Sequence, residues 1–206
     1  MVAIRHFALL SIAGLLTLPP SGGGAASDRA NSPRTSLFAQ SADQILRLEF
    51  PGGTISFLLI EAPTGRMLAS RWDNLAAPIP LGSLVKPFTA LAYGERHAFL
   101  YPTHVCRGTA SGCWFPRGHG AVDLSTAIAY SCNSYFRALT ETMTAADVAP
   151  TAMRYGLQPP APGTAGPVLA GLGNRWLISA PSMARAYLEL VRRGDQPGVR
   201  QILAGM

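Results

Sequence analysis

Lys86 is the single lysine of a chain whose 17 basic residues are otherwise all arginine. Arginine does not give up its proton in a protein, whereas burial or a cationic neighbour can make a lysine amine neutral. A position that keeps lysine where every other cation is arginine is therefore a candidate base. Ser83 precedes it by three residues in PLGSLVKPFTALAYGE, residues 80–95. On a helix that spacing puts both side chains on one face. A neutral Lys86 amine could then take the Ser83 hydroxyl proton as the oxygen attacks a carbonyl carbon. The same pair also fits a helix cap beside a surface charge.

Ser131-Cys132-Asn133 is the second candidate constellation. A hydroxyl and an amide two apart on a tight loop can face one cleft, the serine passing a proton to a leaving amine and the asparagine holding a substrate amide. Standing alone, the same three residues read equally as a polar turn interrupting a helix. Cys132 points the other way, as a small buried apolar residue.

Cys106 and Cys113 bracket CRGTASGC, a loop rich in Gly, Ser and Thr, and could pair as a disulfide in an oxidising compartment. So short a loop would contribute about 2 to 2.5 kcal/mol. His104, Cys106, Cys113 and His119 could alternatively be zinc ligands, but their spacing matches none of the usual structural zinc patterns. The expectation is no metal.

These residues need a scaffold, and 206 residues suffice for one domain with tails. Hydrophobic residues at 48% against 14% charged exclude a disordered chain. The net charge is +6, but the arginines are scattered, with Arg192-Arg193 the only adjacent pair and no aromatic interleaving. That distribution excludes a nucleic-acid footprint and leaves a solvated basic face, compatible with an anionic envelope surface. MVAIRHF gives a basic start, FALLSIAGLLTL an apolar run and PPSGGGAAS small residues for cleavage near Ala26 or Ser27. Residues 1–27 thus read as a signal peptide, shorter than the roughly 20 apolar residues a membrane span needs. Membrane attachment is expected only where this segment stays uncleaved as an anchor. Residues 28–45 read as a polar linker and 46–206 as the folded domain.

Within that domain, TISFLLIE, the turn APTG and RMLASRW read as two strands around a turn. The segment from Ser83 switches to helical spacing, with Leu84, Phe88, Leu91 and Ala92 as its stripe and Pro87 near its start. VDLSTAIAYSCNSYFRALTETM carries Leu124, Ile128, Phe136 and Leu139 at apolar helical positions, with YSCNSYF able to break it into two helices. TAADVAPTAMRYG is a short helix stopped by Gly156. SAPSMARAYLELVRRG is a capped one, opened by Ser179 and Pro181 and burying Met183, Tyr187, Leu190 and Val191. Two strands alone rarely make a stable sheet. Either QILRLEF, residues 44–50, adds an edge or further strands lie beyond Met206; the chain reads as C-terminally incomplete.

GSLVKPFTAL, GHGAVDLSTAIAYSCNSYF and GLGNRWLISAPSMARAYLEL together resemble, in order and spacing, the transpeptidase domain of penicillin-binding proteins. The strand pair ISFLLIEAPTGRMLAS resembles that domain's first strands, and the likeness covers residues 54–194. It implies an α+β, penicillin-binding/β-lactamase-like fold, an antiparallel sheet packed against a helical region, with the sheet incomplete. It further implies Ser83 as acylated nucleophile, Lys86 as its base, Ser131 as proton shuttle and Asn133 as ligand of the substrate amide. The implied partners are the D-alanyl-D-alanine end of a peptidoglycan stem peptide, β-lactams as its mimics, and cell-envelope proteins, with no cofactor. The implied setting is the periplasm or cell envelope. The family's third motif, K-T-G, has no counterpart, since Lys86 is the only lysine. Two other readings stand beside this one. A serine β-lactamase would need an acid to activate water, with Glu95 and Glu141 the first to consider. A non-catalytic relic would bind stem peptides, penicillin or envelope partners without turnover.

Overall fold

The computed structural model describes residues 33–53, 55–80 and 82–206. The expected signal segment, 1–27, lies outside them. The chain divides into two units, the first holding the described residues 33–59 and 67–72, the second 60–66 and 73–206.

In the first unit, α1 (Pro33–Glu49) packs on β2 (Met67–Arg71), the hydrogen-bonded neighbour of β1 (Phe57–Ile60). The hairpin is thus formed where the sequence places it. One expectation is corrected here: the helix that begins at Pro33 runs on through residues 44–49, so QILRLEF does not add an edge strand. Leu, Gln, Arg and Glu are strong helix formers. Arg47 also pairs with Asp43 one turn back at 2.8 Å, the spacing that supports a helix. Arg47 then donates to Ser70 O, and Arg71 donates to Phe50 O and Ile55 O, closing the unit with backbone acceptors.

The second unit carries the core. After β3 (Pro78–Pro80) a 3-10 turn at Gly82–Val85 leads into α2 (Lys86–Arg96). Pro87 sits in the first turn of α2, where its missing N–H has no helical partner to lose. Every residue from Val85 to Ala92 is buried, so α2 is a central helix and not the one-sided stripe that its apolar spacing suggests. It packs on α5 (Ala145–Arg154), where Glu95 accepts from Thr151 and pairs with Arg154. Phe88 meets Tyr155 and Tyr187 edge-on at 5.4 and 5.6 Å.

Between them run β4 (His104–Cys106) and β5 (Gly120–Val122), antiparallel with His104 opposite Val122. They are followed by α3 (Leu124–Ala129) and α4 (Asn133–Thr140). A capping box between Asp123 and Thr126 starts α3, and another between Thr144 and Asp147 starts α5. After α6 (Gly166–Leu169), β6 (Leu177–Ser179) returns to pair antiparallel with β3, Ile79 opposite Ile178. Ser179 caps α7 (Ala180–Arg192), as its sequence predicts, and α8 (Val199–Ala204) follows. Met183 and Leu190 are buried as expected, but Val191 is 57% exposed, turned away from the face that Ala186 occupies. The architecture is α+β, with short strand pairs in each unit and the helical core in the second.

Candidate active site

Ser83 lies on the 3-10 turn that leads into α2, exposed, three residues ahead of the buried Lys86. Residues three apart eclipse one another on a 3-10 helix, so the turn itself puts both on one side. The turn is held from three directions. Tyr187 donates its hydroxyl proton to Leu84 O at 3.0 Å, and Thr89 donates to Leu169 O at 2.6 Å. Gly171 presses on the Gly82 carbonyl, where a side chain would have no room; a Cβ there would sit 3.2 Å from Ser83 Cα and closer still to Gly82. Gly171 also adopts φ +77°, which an L residue resists. Among the described residues, Ser83 Oγ and Lys86 Nζ share no hydrogen bond.

Lys86 instead reaches across to the corner between α3 and α4. Its amine donates to Ser131 O at 2.8 Å, Ser131 Oγ at 3.0 Å and Asn133 Oδ1 at 2.7 Å. Phe136, one turn into α4, places its ring 5.3 Å from the same nitrogen. The corner is tight. Ser131 sits at φ +48°, a left-handed conformation unusual for a residue with a Cβ, closed by Ser131 N–H to Ile128 O and Cys132 N–H to Ala127 O, both 2.9 Å. Burial pushes the Lys86 amine down from 10.5 to about 8, outweighing the opposing electrostatic effect of Cys132 and Cys113. A lysine so placed loses its proton far more readily than a surface one, and in the free-base form it can accept one.

His104 lies outside this triangle. Its Nε2 is 2.6 Å from Ser134 Oγ, tying β4 to the first turn of α4 directly after Asn133. Glu95 is engaged by Thr151 and Arg154, and Glu141 is an exposed residue at the end of α4.

Behind the corner, the cysteines depart from what their spacing suggests. Cys106 and Cys113, the pair expected to form a disulfide, are free thiols, and so is Cys132. Cys106 Sγ and Cys113 Sγ lie 3.6 and 3.5 Å from His119 Nδ1, and Cys113 Sγ lies 3.9 Å from Cys132 Sγ. The four donor atoms fall within 4.8 Å of one another. This set, with Cys132 where the sequence offered His104, is the group able to hold a metal among the described residues. Burial pushes the Cys132 thiol up, while at Cys106 burial is outweighed by hydrogen bonds from His119 and Gly108 that bring it down to about 6. Cys132 is fully buried as expected, but it is a member of this cluster as well as a packing residue.

No family model matches the chain, and no curated protein does. Solved structures do. The transpeptidase domain of Burkholderia pseudomallei penicillin-binding protein 3 aligns with 83% of this chain and 66% of its own at 18% identity and a TM-score of 0.60. Pseudomonas aeruginosa penicillin-binding protein 2, in complex with WCK 5153, covers 74% of this chain and 49% of its own at 18% identity and a TM-score of 0.58. A chain of a peptidoglycan synthase complex covers 77% and 38% at 15% identity and a TM-score of 0.55. The chain therefore spans less than two thirds of each. With the helical core, the short antiparallel strands and the serine–lysine turn set against the Ser131–Asn133 corner, it has the fold of the penicillin-binding protein transpeptidase domain.

Proposed function

We propose that this chain is a penicillin-binding-type serine acyl-transferase domain, of the D,D-transpeptidase and carboxypeptidase class, acting on D-alanyl-D-alanine stem peptides of peptidoglycan in the cell envelope. The observation that carries this reading is the Lys86 amine held by Ser131 and Asn133. In its neutral form Lys86 takes the Ser83 proton as Ser83 Oγ bonds to the penultimate D-alanine carbonyl carbon. Ser131, in hydrogen-bond contact with that amine, passes a proton to the leaving nitrogen as the C–N bond breaks, releasing D-alanine. Asn133 holds the substrate amide, and the Ser83 N–H donates to the developing oxyanion. An incoming amine or water then takes the acyl group. β-Lactams react at Ser83 as analogues, and the basic face suits an anionic envelope setting. Among the described residues no helix is long and apolar enough to cross a membrane.

Labelling with a fluorescent penicillin tests this. A stable adduct that disappears in Ser83→Ala is the expected result, and equal labelling of that variant overturns the assignment.

One observation favours a second reading. Lys86 is the only lysine of these 206 residues, so a K-T-G segment, whose strand lends a second oxyanion donor in the domain this chain resembles, is not among them. Loss of one such donor costs about a hundred- to a thousand-fold in rate. A chain that binds stem peptides without turnover would show no adduct even after long incubation. The β-lactamase reading has less support, because Glu95 is committed to Thr151 and Arg154.

A further inference from the structure

We propose that Cys106, Cys113, His119 and Cys132 hold one zinc ion in a tetrahedral site, and that the ion clamps the Ser131–Asn133 corner to the loop over residues 106–119.

The geometry carries this. A tetrahedron with Zn–S bonds of about 2.3 Å and a Zn–N bond of about 2.0–2.1 Å has S···S edges of about 3.8 Å and S···N edges of about 3.5 Å. The structure gives 3.9 Å between Cys113 Sγ and Cys132 Sγ, and 3.6 and 3.5 Å from Cys106 and Cys113 to His119 Nδ1. Hydrogen bonding alone fits less well. A neutral imidazole Nδ1 has one lone pair, which cannot accept along its axis from two thiols at once. A disulfide, with sulfurs about 2.05 Å apart, is not formed by any of these pairs. Three thiols and one imidazole are a soft donor set that suits zinc over magnesium or calcium.

The loop is built to deliver these ligands. It crosses itself so closely that a Cβ on Gly108 would lie 2.6 Å from Pro116 C and one on Gly118 2.6 Å from Gly108 N. Cys113 N–H donates to Gly108 O at 3.0 Å, fixing the second thiol beside the turn that follows β4. His119 is sandwiched, stacked on Tyr130 at 5.0 Å and on Phe115 at 5.3 Å, which sets the plane of its imidazole. Trp114 donates to Tyr130 O at 3.1 Å and closes the aromatic wall. The three cysteines are 5% exposed or less. Cys132 is the residue between Ser131 and Asn133, so an ion bound to its sulfur fixes the backbone from which both side chains project toward Lys86.

The test uses the full chain. Purified with zinc and a reductant, it should carry one zinc per chain by elemental analysis. Cobalt in place of zinc should give thiolate charge-transfer bands and the visible bands of a tetrahedral ion. Cys113→Ser and Cys132→Ser should each weaken zinc at least a hundredfold in chelator competition, whereas His104→Ala should keep it. Chelation should lower the Tm of the parent by about 5 °C or more. Chain that takes up no zinc, keeps its Tm on chelation, or in the presence of zinc leaves all three thiols open to alkylation or oxidises to a Cys113–Cys132 disulfide overturns the proposal. So does zinc retained by Cys132→Ser and lost by His104→Ala. Should the serine variants fail to fold, the cobalt spectrum of the parent decides, since an octahedral or thiolate-free spectrum also overturns it. None of these readouts depends on penicillin labelling, so the site and the acyl-transferase reading can fail separately.

Discussion

The Lys86 amine lies 2.7 Å from Asn133 Oδ1, joining the first residue of α2 to the first residue of α4. Both residues are fixed by helix starts, so the contact is a property of how two helices meet and not of a flexible side chain. Fully protonated, the amine has three protons, and the three acceptors at the corner use all of them. Whatever work Lys86 does on a neighbouring hydroxyl must begin with the loss of one.

Replacing that amine by a group that cannot lose its proton separates charge from basicity. Lys86→Arg keeps the cation, yet guanidinium cannot act as a base at accessible pH. Penicillin acylation of this variant should fall at least about a hundredfold, the usual lower bound for removing a general base. A time course of fluorescent labelling checks it, with near-normal labelling counting against proton transfer to Lys86.

The same amine sets the pH dependence. Burial holds it at about 8, so below that value the free base grows about tenfold per pH unit and above it saturates. Acylation should therefore rise from about pH 6 and level off above about pH 8. Stability moves in the same direction. Between 8 and 10.5 the unfolded lysine holds a proton that the folded one has lost, so the folded chain gains stability as pH rises through that window. The cost of burying the charge is fully present below 8. Urea midpoints of the parent, compared with those of Lys86→Met across this range, should show a gain in the parent alone.

Much of this site was readable in the residues. The Ser83–Lys86 spacing, the break at YSCNSYF and the Ser179 cap each rest on local chemistry: a helical turn, poor helix formers, a side chain that satisfies an orphan N–H. The short strands were not readable. Pro78–Pro80 pairs with Leu177–Ser179, three residues against three from opposite ends of the second unit, too few for an alternating pattern to show. Segment 44–50 carries apolar residues compatible with either period, and the Asp43–Arg47 pair decides for helix. The thiol cluster was hidden for another reason. Cys132 sits inside a motif whose outer residues draw the attention, and its partners belong to a loop folded by glycines, not by regular spacing. A search for three cysteines and a histidine, without fixed intervals, would have found it.

Gly171 offers a test of how the Ser83 turn is held. It and Gly163 share φ +77°, but a Cβ on Gly163 meets nothing within 4 Å, whereas one on Gly171 meets the Gly82 carbonyl. Gly163→Ala should cost only the left-handed penalty, about 1 kcal/mol. Gly171→Ala should cost that plus the displacement of residues 82–83, for a total of about 3 kcal/mol. Urea unfolding of both variants measures the difference. Penicillin labelling should fall in Gly171→Ala and stay near the parent level in Gly163→Ala.

Tyr187 holds the same turn from the other side, through one hydrogen bond to Leu84 O at 3.0 Å and an edge-on ring contact with Phe88 at 5.6 Å. Tyr187→Phe removes the first and keeps the second. Leu84 is only partly buried, so water can take up part of the freed carbonyl's need, and the stability loss should be about 1 kcal/mol. The carbonyl belongs to the residue directly after Ser83, and its release frees the turn to shift the hydroxyl. Labelling should slow several-fold with the Lys86 pH profile unchanged, because nothing around the amine is altered. A shifted pH profile would mean that Tyr187 acts through Lys86 and not through the backbone of the turn.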